Sequence, residues 1–178
     1  DDSVKIAGLF IGKGPVVQQR QRSRYDDTKY VVQRLSSSES HPVFAGPLVV
    51  LVDDFSASAS EIVAACLQDY GRAVIVGAKQ THGKGSVQTV IPLSEAVTVL
   101  PFMEKPDLGS IKLTIAKFYR VNGGSTQIKG VASDIAFPTF GAALEEFEAD
   151  QPHALPWDEI APAKYACAVD VRPWLPQL

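Results

Sequence analysis

A serine and a lysine in the middle of the chain are the side chains best suited to covalent chemistry. Ser58 lies in the stretch Ser56-Ala57-Ser58-Ala59-Ser60-Glu61, between an apolar run and a segment with helical spacing. A serine at such a strand-to-helix turn is exposed above the sheet, where the free N–H groups of the helix N-terminus stabilise a developing oxyanion. The N–H of Ala59, the residue after the serine, would be one such donor. Ser58 therefore fits the position of a nucleophile.

The same residues fit a simpler role. Ser58 and Glu61 form an S-x-x-E capping box directly ahead of an apolar helical run. In that role the serine only begins a helix and takes part in no reaction. Spacing alone favours this helix cap over a nucleophile.

A nucleophilic serine needs a base, and Lys84 is one candidate. The signatures G-x-S-x-G and S-x-x-K are absent, and no Asp or Glu is obviously placed to orient His82. Lys84 lies between Gly83 and Gly85, which let the backbone bend so that the lysine turns inward. A desolvated lysine has a lowered pKa and can act as a general base, as in Ser–Lys dyads. Gln88 can hold it through its amide. Without further information, a solvated loop lysine is the favoured interpretation.

Nucleotide and metal chemistry are not predicted. The stretch 78–85 departs twice from the P-loop pattern G-x-x-x-x-G-K-[ST], with Ala78 in place of the first glycine and Gly85 in place of the hydroxyl residue. No H-E-x-x-H or C-x-x-C motif occurs. Cys66 falls on the apolar side of the predicted helix and is expected to be a buried small hydrophobic residue. We therefore expect no cofactor and no metal.

Net charge and composition bear on which classes of binding partner are expected. The 178 residues carry a net charge of −3, which gives no general attraction to nucleic acid or to an anionic membrane. No apolar run reaches the ~18 residues of a membrane span. Arg20, Arg22 and Arg24 share one face of a predicted strand, and the acidic residues that follow favour a solvated face over a nucleic-acid contact. The first ten residues include no Met and no leader. The chain therefore looks like a piece of a longer polypeptide or the mature part of one.

The elements around Ser58 and Lys84 predict an α/β fold. Pro47–Val52 is a continuous apolar run that predicts a strand buried on both faces, followed by the helix and by a strand over 73–76. A helix is predicted in the first ten residues, and an acidic one over 141–149. Further strands are predicted over 16–22, 29–33, 87–93 and 111–119, the last half-buried through Ile111, Leu113 and Ile115. Residues 98–108 are predicted to form an irregular connection. Residues 1–150 are predicted to form the body, and 151–178 an extended tail packed on it.

Three stretches resemble one protease family: VLVDDFSASASEIVAACLQDYGRAVIVG, THGKGSVQ and GSIKLTIAKFYRVNGGSTQIKGVASDI. They look like the carboxyl-terminal processing proteases, peptidase family S41, and the tail-specific protease branch most of all. The stretch KFYRVNGGSTQ and the stretch ALPWD near the end are especially similar to that branch. The similarity covers about Asp1 to Tyr165, with several motifs in the family's order.

The resemblance implies a serine endopeptidase with a ClpP/crotonase-like fold, of which this chain would be the C-terminal part of the catalytic domain. It implies Ser58 as nucleophile, Lys84 as general base, Gln88 as the residue that orients the lysine, and Ala59 as an oxyanion donor. It also implies protein substrates, a PDZ-type domain upstream, and a location in the periplasm or cell envelope with possible peripheral membrane association. A non-catalytic crotonase-like binding or structural module is the alternative.

Two features depart from the family pattern. The loop before Lys84 is one residue longer than usual, and His82 stands in place of an aromatic residue. The glycine-rich turn that supplies the family's second oxyanion donor would lie before Asp1. We therefore expect this chain alone to be weakly active or inactive.

Overall fold

Two parallel strands and the helix that joins them form the part of the fold that carries Ser58. The computed structural model describes residues 2–23, 25–26, 28–96, 106–139, 147–166 and 170–177. In it, β3 (Val49–Val52) pairs in parallel with β4 (Val74–Gly77), and α2 (Ala59–Asp69) connects them. A parallel pair requires such a crossover, so the predicted strand–turn–helix–strand unit is confirmed.

The remaining strands form a second, antiparallel sheet and extend the first. The antiparallel sheet has the order β2-β1-β6-β5 and consists of β1 (Gly14–Arg22), β2 (Tyr30–Ser37), β5 (Ser86–Pro92) and β6 (Ser110–Tyr119). β7 (Ile135–Ala136) pairs with β4 in the parallel sheet. The first helix, α1 (Asp2–Ile11), packs against α2. Short 3₁₀ turns cover Leu93–Ala96, Glu148–Asp150 and Arg172–Gln177. The predicted α/β class, with an additional β-rich region, is confirmed.

The core lies where α1, α2 and both sheets meet. Each of these elements contributes buried apolar side chains, among them Ala7, Val17, Ile62, Leu67, Ile75 and Phe118. Cys66 is buried among them as predicted, and this burial raises the pKa of its thiol. One side of α2 is thereby fixed against the core, which holds its N-terminus and Ser58 in place.

The prediction that Pro47–Val52 is buried on both faces is wrong. Val52 is buried, whereas Val49 and Leu51 are exposed, Leu51 to 78%. β3 lies at the edge of its sheet with β4 on one side only, and alternate side chains of a strand point to opposite faces. Val50 and Val52 therefore pack on the core while their neighbours face away from it.

The prediction that Ile111, Leu113 and Ile115 are buried is also wrong, because all three are exposed. The first half of β6 pairs only with β5, and β1 joins it only from Ala116 onward. The outer half is thus a two-stranded hairpin that reaches beyond the core, and burial begins where the third strand begins.

Segment 154–166 lies against the antiparallel sheet. Asp158 accepts hydrogen bonds from Lys117 and Arg20, and the Tyr119 hydroxyl lies 3.2 Å from both of its carboxylate oxygens. Although partial burial opposes the shift, these two cations hold the pKa of Asp158 below its ordinary value. The sequence predicted a solvated face for Arg20. In the structure, Arg20 instead binds Asp158 beneath segment 154–166.

Three further predictions bear on the tail and the connections. The Trp157 indole N–H donates to the Ser125 carbonyl at 2.9 Å, whereas Trp174 is exposed. The acidic helix predicted over 141–149 and the connection predicted over 98–108 lie mostly outside the described residues. The boundary at residue 150 stays a prediction. No helix of the described residues is long and apolar enough to cross a membrane.

Candidate active site

Ser58 lies on a sharp turn between β3 and α2. The turn is closed by Asp53 and Ser56, whose side chains hydrogen-bond to each other at 2.8 Å. Ser58 then takes φ 56° and ψ −109°, a backbone conformation that non-glycine residues rarely adopt, and α2 begins at the next residue. Such conformations persist where the surrounding structure enforces them, and they are concentrated at functional sites. The serine is half-buried.

The backbone N–H of Ala59 comes directly after Ser58 at the start of α2. Ala59 is exposed and is the first residue of α2. Within the part of the chain that the structure describes, no group accepts a hydrogen bond from this N–H. The first N–H groups of a helix lack partners within the helix and carry partial positive charge. The Ala59 N–H is therefore free to bind an oxygen atom that forms next to Ser58.

Lys84 lies in a loop over residues 81–85. Every backbone N–H group of this loop donates a hydrogen bond. The acceptors for residues 81 to 85 in order are Val131 O, Ser56 O, Glu61 Oε1, Glu61 Oε2 and Gln127 Oε1, at 2.8 to 3.1 Å. Regular secondary structure is absent from these five residues, yet each donor has a partner in a separate element. The loop is therefore fixed, and so is the point from which the Lys84 side chain extends.

Gly83 supports the expectation that glycines allow this loop to bend. Its φ is +93°, and a Cβ placed there would lie 2.8 Å from the Ile128 carbonyl oxygen. A side chain at this position would collide with the backbone behind the loop. Gly83 is buried and Lys84 is half-buried.

The structure brings all four predicted site residues to one cavity. Ser58, Ala59, Lys84 and Gln88 line a cavity of about 310 Å³ that Ile62 and Phe118, among others, complete. Within the described residues, Lys84 Nζ makes no hydrogen bond or ion pair. The cavity has polar and apolar walls.

Gln88 has no observed hydrogen bond with Lys84 among the described residues. It lies on β5, and its side chain is exposed. Its role in orienting the lysine stays a prediction.

His82 does not compete for the role of base. Its ring Nε2 lies 3.8 Å from Glu148 Oε2, and the residue is not among those that line the cavity with Ser58. Glu148 also accepts a hydrogen bond from Gln127, the residue that holds Gly85. His82 thus belongs to the support of the loop. Among the described residues, no group of three or more His, Cys, Asp or Glu side chains is placed to hold a metal ion.

Glu61 is the residue whose importance the sequence understated. It was interpretable as the second member of a capping box, and its carboxylate does accept the Ser58 N–H at 2.7 Å. The same carboxylate also accepts the N–H groups of Gly83 and Lys84 and the hydroxyl of Thr81. Three of these four donors lie in a loop distant in sequence, and no local spacing pattern reveals them.

Comparison with known proteins gives a consistent result. The model of peptidase family S41 matches residues 1–137. The tail-specific protease of Haemophilus influenzae is 44% identical over 167 residues, which cover 92% of this chain and 22% of that protein. The carboxy-terminal-processing protease of Bartonella bacilliformis is 38% identical, with 76% and 27% covered. The solved photosystem II D1 C-terminal processing protease matches with a TM-score of 0.57 and 29% identity, over 76% of this chain and 30% of that structure. The chain thus spans about a quarter of the length of these relatives.

Proposed function

The chain belongs to peptidase family S41, and on that basis we propose that it supplies the catalytic Ser–Lys pair of a serine endopeptidase that cuts protein substrates near their C-termini. Because the relatives are longer, the activity is assigned to the complete polypeptide that contains this sequence, called the parent polypeptide below. The printed names of the relatives, tail-specific and carboxy-terminal-processing protease, support the substrate class.

The cavity is the observation that supports this function best. Ser58, Ala59 and Lys84 line it together, although they come from a helix N-terminus and a separate loop. A nucleophile, a candidate base and a free backbone donor around one space are the parts that acyl transfer needs.

In the proposed mechanism, Lys84 Nζ takes the proton of the Ser58 hydroxyl as Oγ bonds to the substrate carbonyl carbon. The carbonyl oxygen becomes an oxyanion, which the Ala59 N–H stabilises. The C–N bond then breaks, Lys84 returns the proton to the leaving amine, and an ester remains on Ser58. Lys84 next takes a proton from a water molecule as the water oxygen bonds to the ester carbon. The bond between that carbon and Ser58 Oγ then breaks, Lys84 returns the proton to Oγ, and the new C-terminal carboxyl group leaves. Gln88 would orient the lysine during both steps.

The resemblance extends the proposal beyond this chain. It implies a PDZ-type substrate-binding domain in the parent polypeptide, an upstream second oxyanion donor, and action in the periplasm or cell envelope with peripheral membrane association. Loss of one oxyanion donor lowers rates by about 10²–10³. The 178-residue chain alone should therefore hydrolyse peptides weakly or not at all.

The test is peptidase activity of the parent polypeptide with matched variants. Ser58→Ala and Lys84→Ala should each lower kcat by at least about 10³. Ser60→Ala and Lys79→Ala change an exposed serine and an exposed lysine close to the site and should leave activity near the unmodified level. Full activity of Ser58→Ala or Lys84→Ala would contradict the proposal and favour the non-catalytic crotonase-like module.

A further inference from the structure

Glu61 makes contacts that no helix cap requires. Its side chain is fully buried in the first turn of α2, and each carboxylate oxygen accepts two hydrogen bonds. Oε1 accepts from the Thr81 hydroxyl at 2.6 Å and from the Gly83 N–H at 2.8 Å. Oε2 accepts from the N–H groups of Ser58 and Lys84 at 2.7 and 3.0 Å. These four bonds fill the acceptor capacity of a carboxylate.

We propose that Glu61 is a positioning residue that sets the distance and orientation between Ser58 and Lys84 by holding the backbones of both on one oxygen atom. This inference rests on the proposed function, because it concerns the same pair of side chains. A capping box needs only the bond to the N-cap residue, here Ser58. The bond to Lys84 joins α2 to the 81–85 loop, and a fold that needed only a helix cap would lack it.

The charge of Glu61 is balanced by these donors and not by a cation. Within the described ranges, Glu61 forms no ion pair. Burying a carboxylate without a countercharge is costly unless hydrogen bonds satisfy it. All four donors must therefore stay in place for the carboxylate to stay buried. This requirement couples the Ser58 turn and the Lys84 loop, so that neither can shift without exposing unpaired charge.

The backbone of Ser58 shows why such a restraint is needed. A non-glycine residue at φ 56° and ψ −109° carries strain, and it returns to an ordinary conformation unless its surroundings prevent this. The bond from the Ser58 N–H to Glu61 opposes that return. Removal of the carboxylate would free the nucleophile and the loop together.

Thr81 completes the arrangement by fixing the carboxylate itself. Its buried hydroxyl donates to Glu61 and accepts the Val131 N–H at 2.8 Å. Thr81→Ser keeps both bonds, whereas Thr81→Val removes them at nearly constant volume. This pair serves as a matched control for the Glu61 variants.

The first experiment compares Glu61→Ala, Glu61→Gln and the two Thr81 variants in the parent polypeptide. Glu61→Ala should lower kcat about 100-fold with KM changed less than threefold, because misplacement of reacting groups by about 1 Å costs that much. The amide oxygen of Glu61→Gln can still accept from Ser58 and Lys84, so this variant should recover at least tenfold over Glu61→Ala. The kcat of Thr81→Ser should be higher than that of Thr81→Val.

The kinetic result overturns the inference if folded Glu61→Ala keeps kcat within twofold of the unmodified protein, or if Glu61→Gln is no better than Glu61→Ala. If Glu61→Ala does not fold, the two Thr81 variants decide: kcat of Thr81→Val should lie below that of Thr81→Ser, and equal kcat of the two folded variants overturns the inference.

A second experiment does not depend on peptidase activity. In a Ser58→Cys background, a nearby lysine favours the thiolate and speeds alkylation by iodoacetamide. Labelling is measured on the tryptic peptide spanning residues 35–72, which contains position 58 and the buried Cys66. Lys84→Ala should slow labelling at position 58 at least fivefold, and Glu61→Ala with Lys84 intact should slow it as much. Equal rates in all three backgrounds would overturn the inference. If Ser58→Ala leaves hydrolysis unchanged but the labelling follows this pattern, the proposed function fails and the positioning role stands.

Discussion

The backbone N–H groups of Ser58 and Lys84 donate hydrogen bonds to the same atom, Oε2 of Glu61, at 2.7 and 3.0 Å. The two residues belong to different elements, the turn before α2 and the 81–85 loop. Both residues line the same cavity. A single buried carboxylate thus fixes the two backbones from which a nucleophile and its base would extend.

The ionisation of Glu61 should be visible in the pH dependence of stability. Burial raises the pKa of Glu61, against the opposing effect of its four hydrogen bonds, so its pKa in the folded state lies above the ordinary value of 4.5. The folded state therefore binds more protons than the unfolded state just above pH 4.5, and this contribution to stability is lost as pH rises through the folded pKa. Glu61→Gln does not titrate. We expect the free energy of unfolding of the unmodified protein, minus that of Glu61→Gln, to fall as pH rises from about 4.5 toward neutrality. Urea unfolding at a series of pH values measures it, and a difference that grows with pH would contradict the assignment.

The ion pair between Asp69 and Arg120 should stabilise the fold behind the site. Asp69 is buried and accepts two hydrogen bonds from the Arg120 guanidinium, at 2.6 and 3.1 Å, and one from Asn122 at 2.9 Å. Asp69→Ala leaves a partly buried cation without this partner and should cost about 3–5 kcal/mol of unfolding free energy. Lys5→Ala breaks an exposed pair with Asp2 and should cost nothing measurable. Similar losses for both variants in urea unfolding would show that the buried pair contributes no more than a surface one.

Two glycines with positive φ separate backbone strain from crowding. Gly83 has φ +93° and a Cβ there would meet the Ile128 carbonyl oxygen at 2.8 Å, whereas Gly109 has φ +72° with no atom within 4 Å of the same point. Gly109→Ala should therefore cost only the strain of a left-handed conformation, about 1–2 kcal/mol. Gly83→Ala should cost more unfolding free energy than Gly109→Ala. It should also lower peptidase activity of the parent polypeptide, because the new Cβ displaces the loop and Lys84 with it. Equal destabilisation, or unchanged activity of Gly83→Ala, would contradict the rigidity ascribed to the loop.

The sequence predicted the unit that carries Ser58, because a strand, a helix and a second strand each leave a local pattern. It did not predict which strand faces are buried. The run Pro47–Val52 and the alternation of Ile111, Leu113 and Ile115 record apolar character, but burial depends on which elements pack against each strand. β3 has one neighbouring strand, and the outer half of β6 has only β5.

The site was predictable in its parts and not in its connections. Spacing alone favoured a helix cap for Ser58 and a solvated lysine for Lys84, and only the resemblance to a protease family reversed both interpretations. The role of Glu61 depends on donors from Thr81, Gly83 and Lys84, which the chain brings back from a distant loop. Local periodicity holds no information on such long-range hydrogen bonds.

The most direct test of the account is detection of the acyl-enzyme on Ser58. The parent polypeptide is mixed with a peptide ester, quenched in acid and digested with trypsin. Mass spectrometry then measures the mass of the peptide spanning residues 35–72, and fragmentation locates the modified residue. We expect the mass of the acyl group on Ser58, its absence in Ser58→Ala, and its loss in Lys84→Ala at the same quench time. An acyl group on another serine, or equal acylation without Lys84, would contradict the assignment of Ser58 as nucleophile and Lys84 as its base.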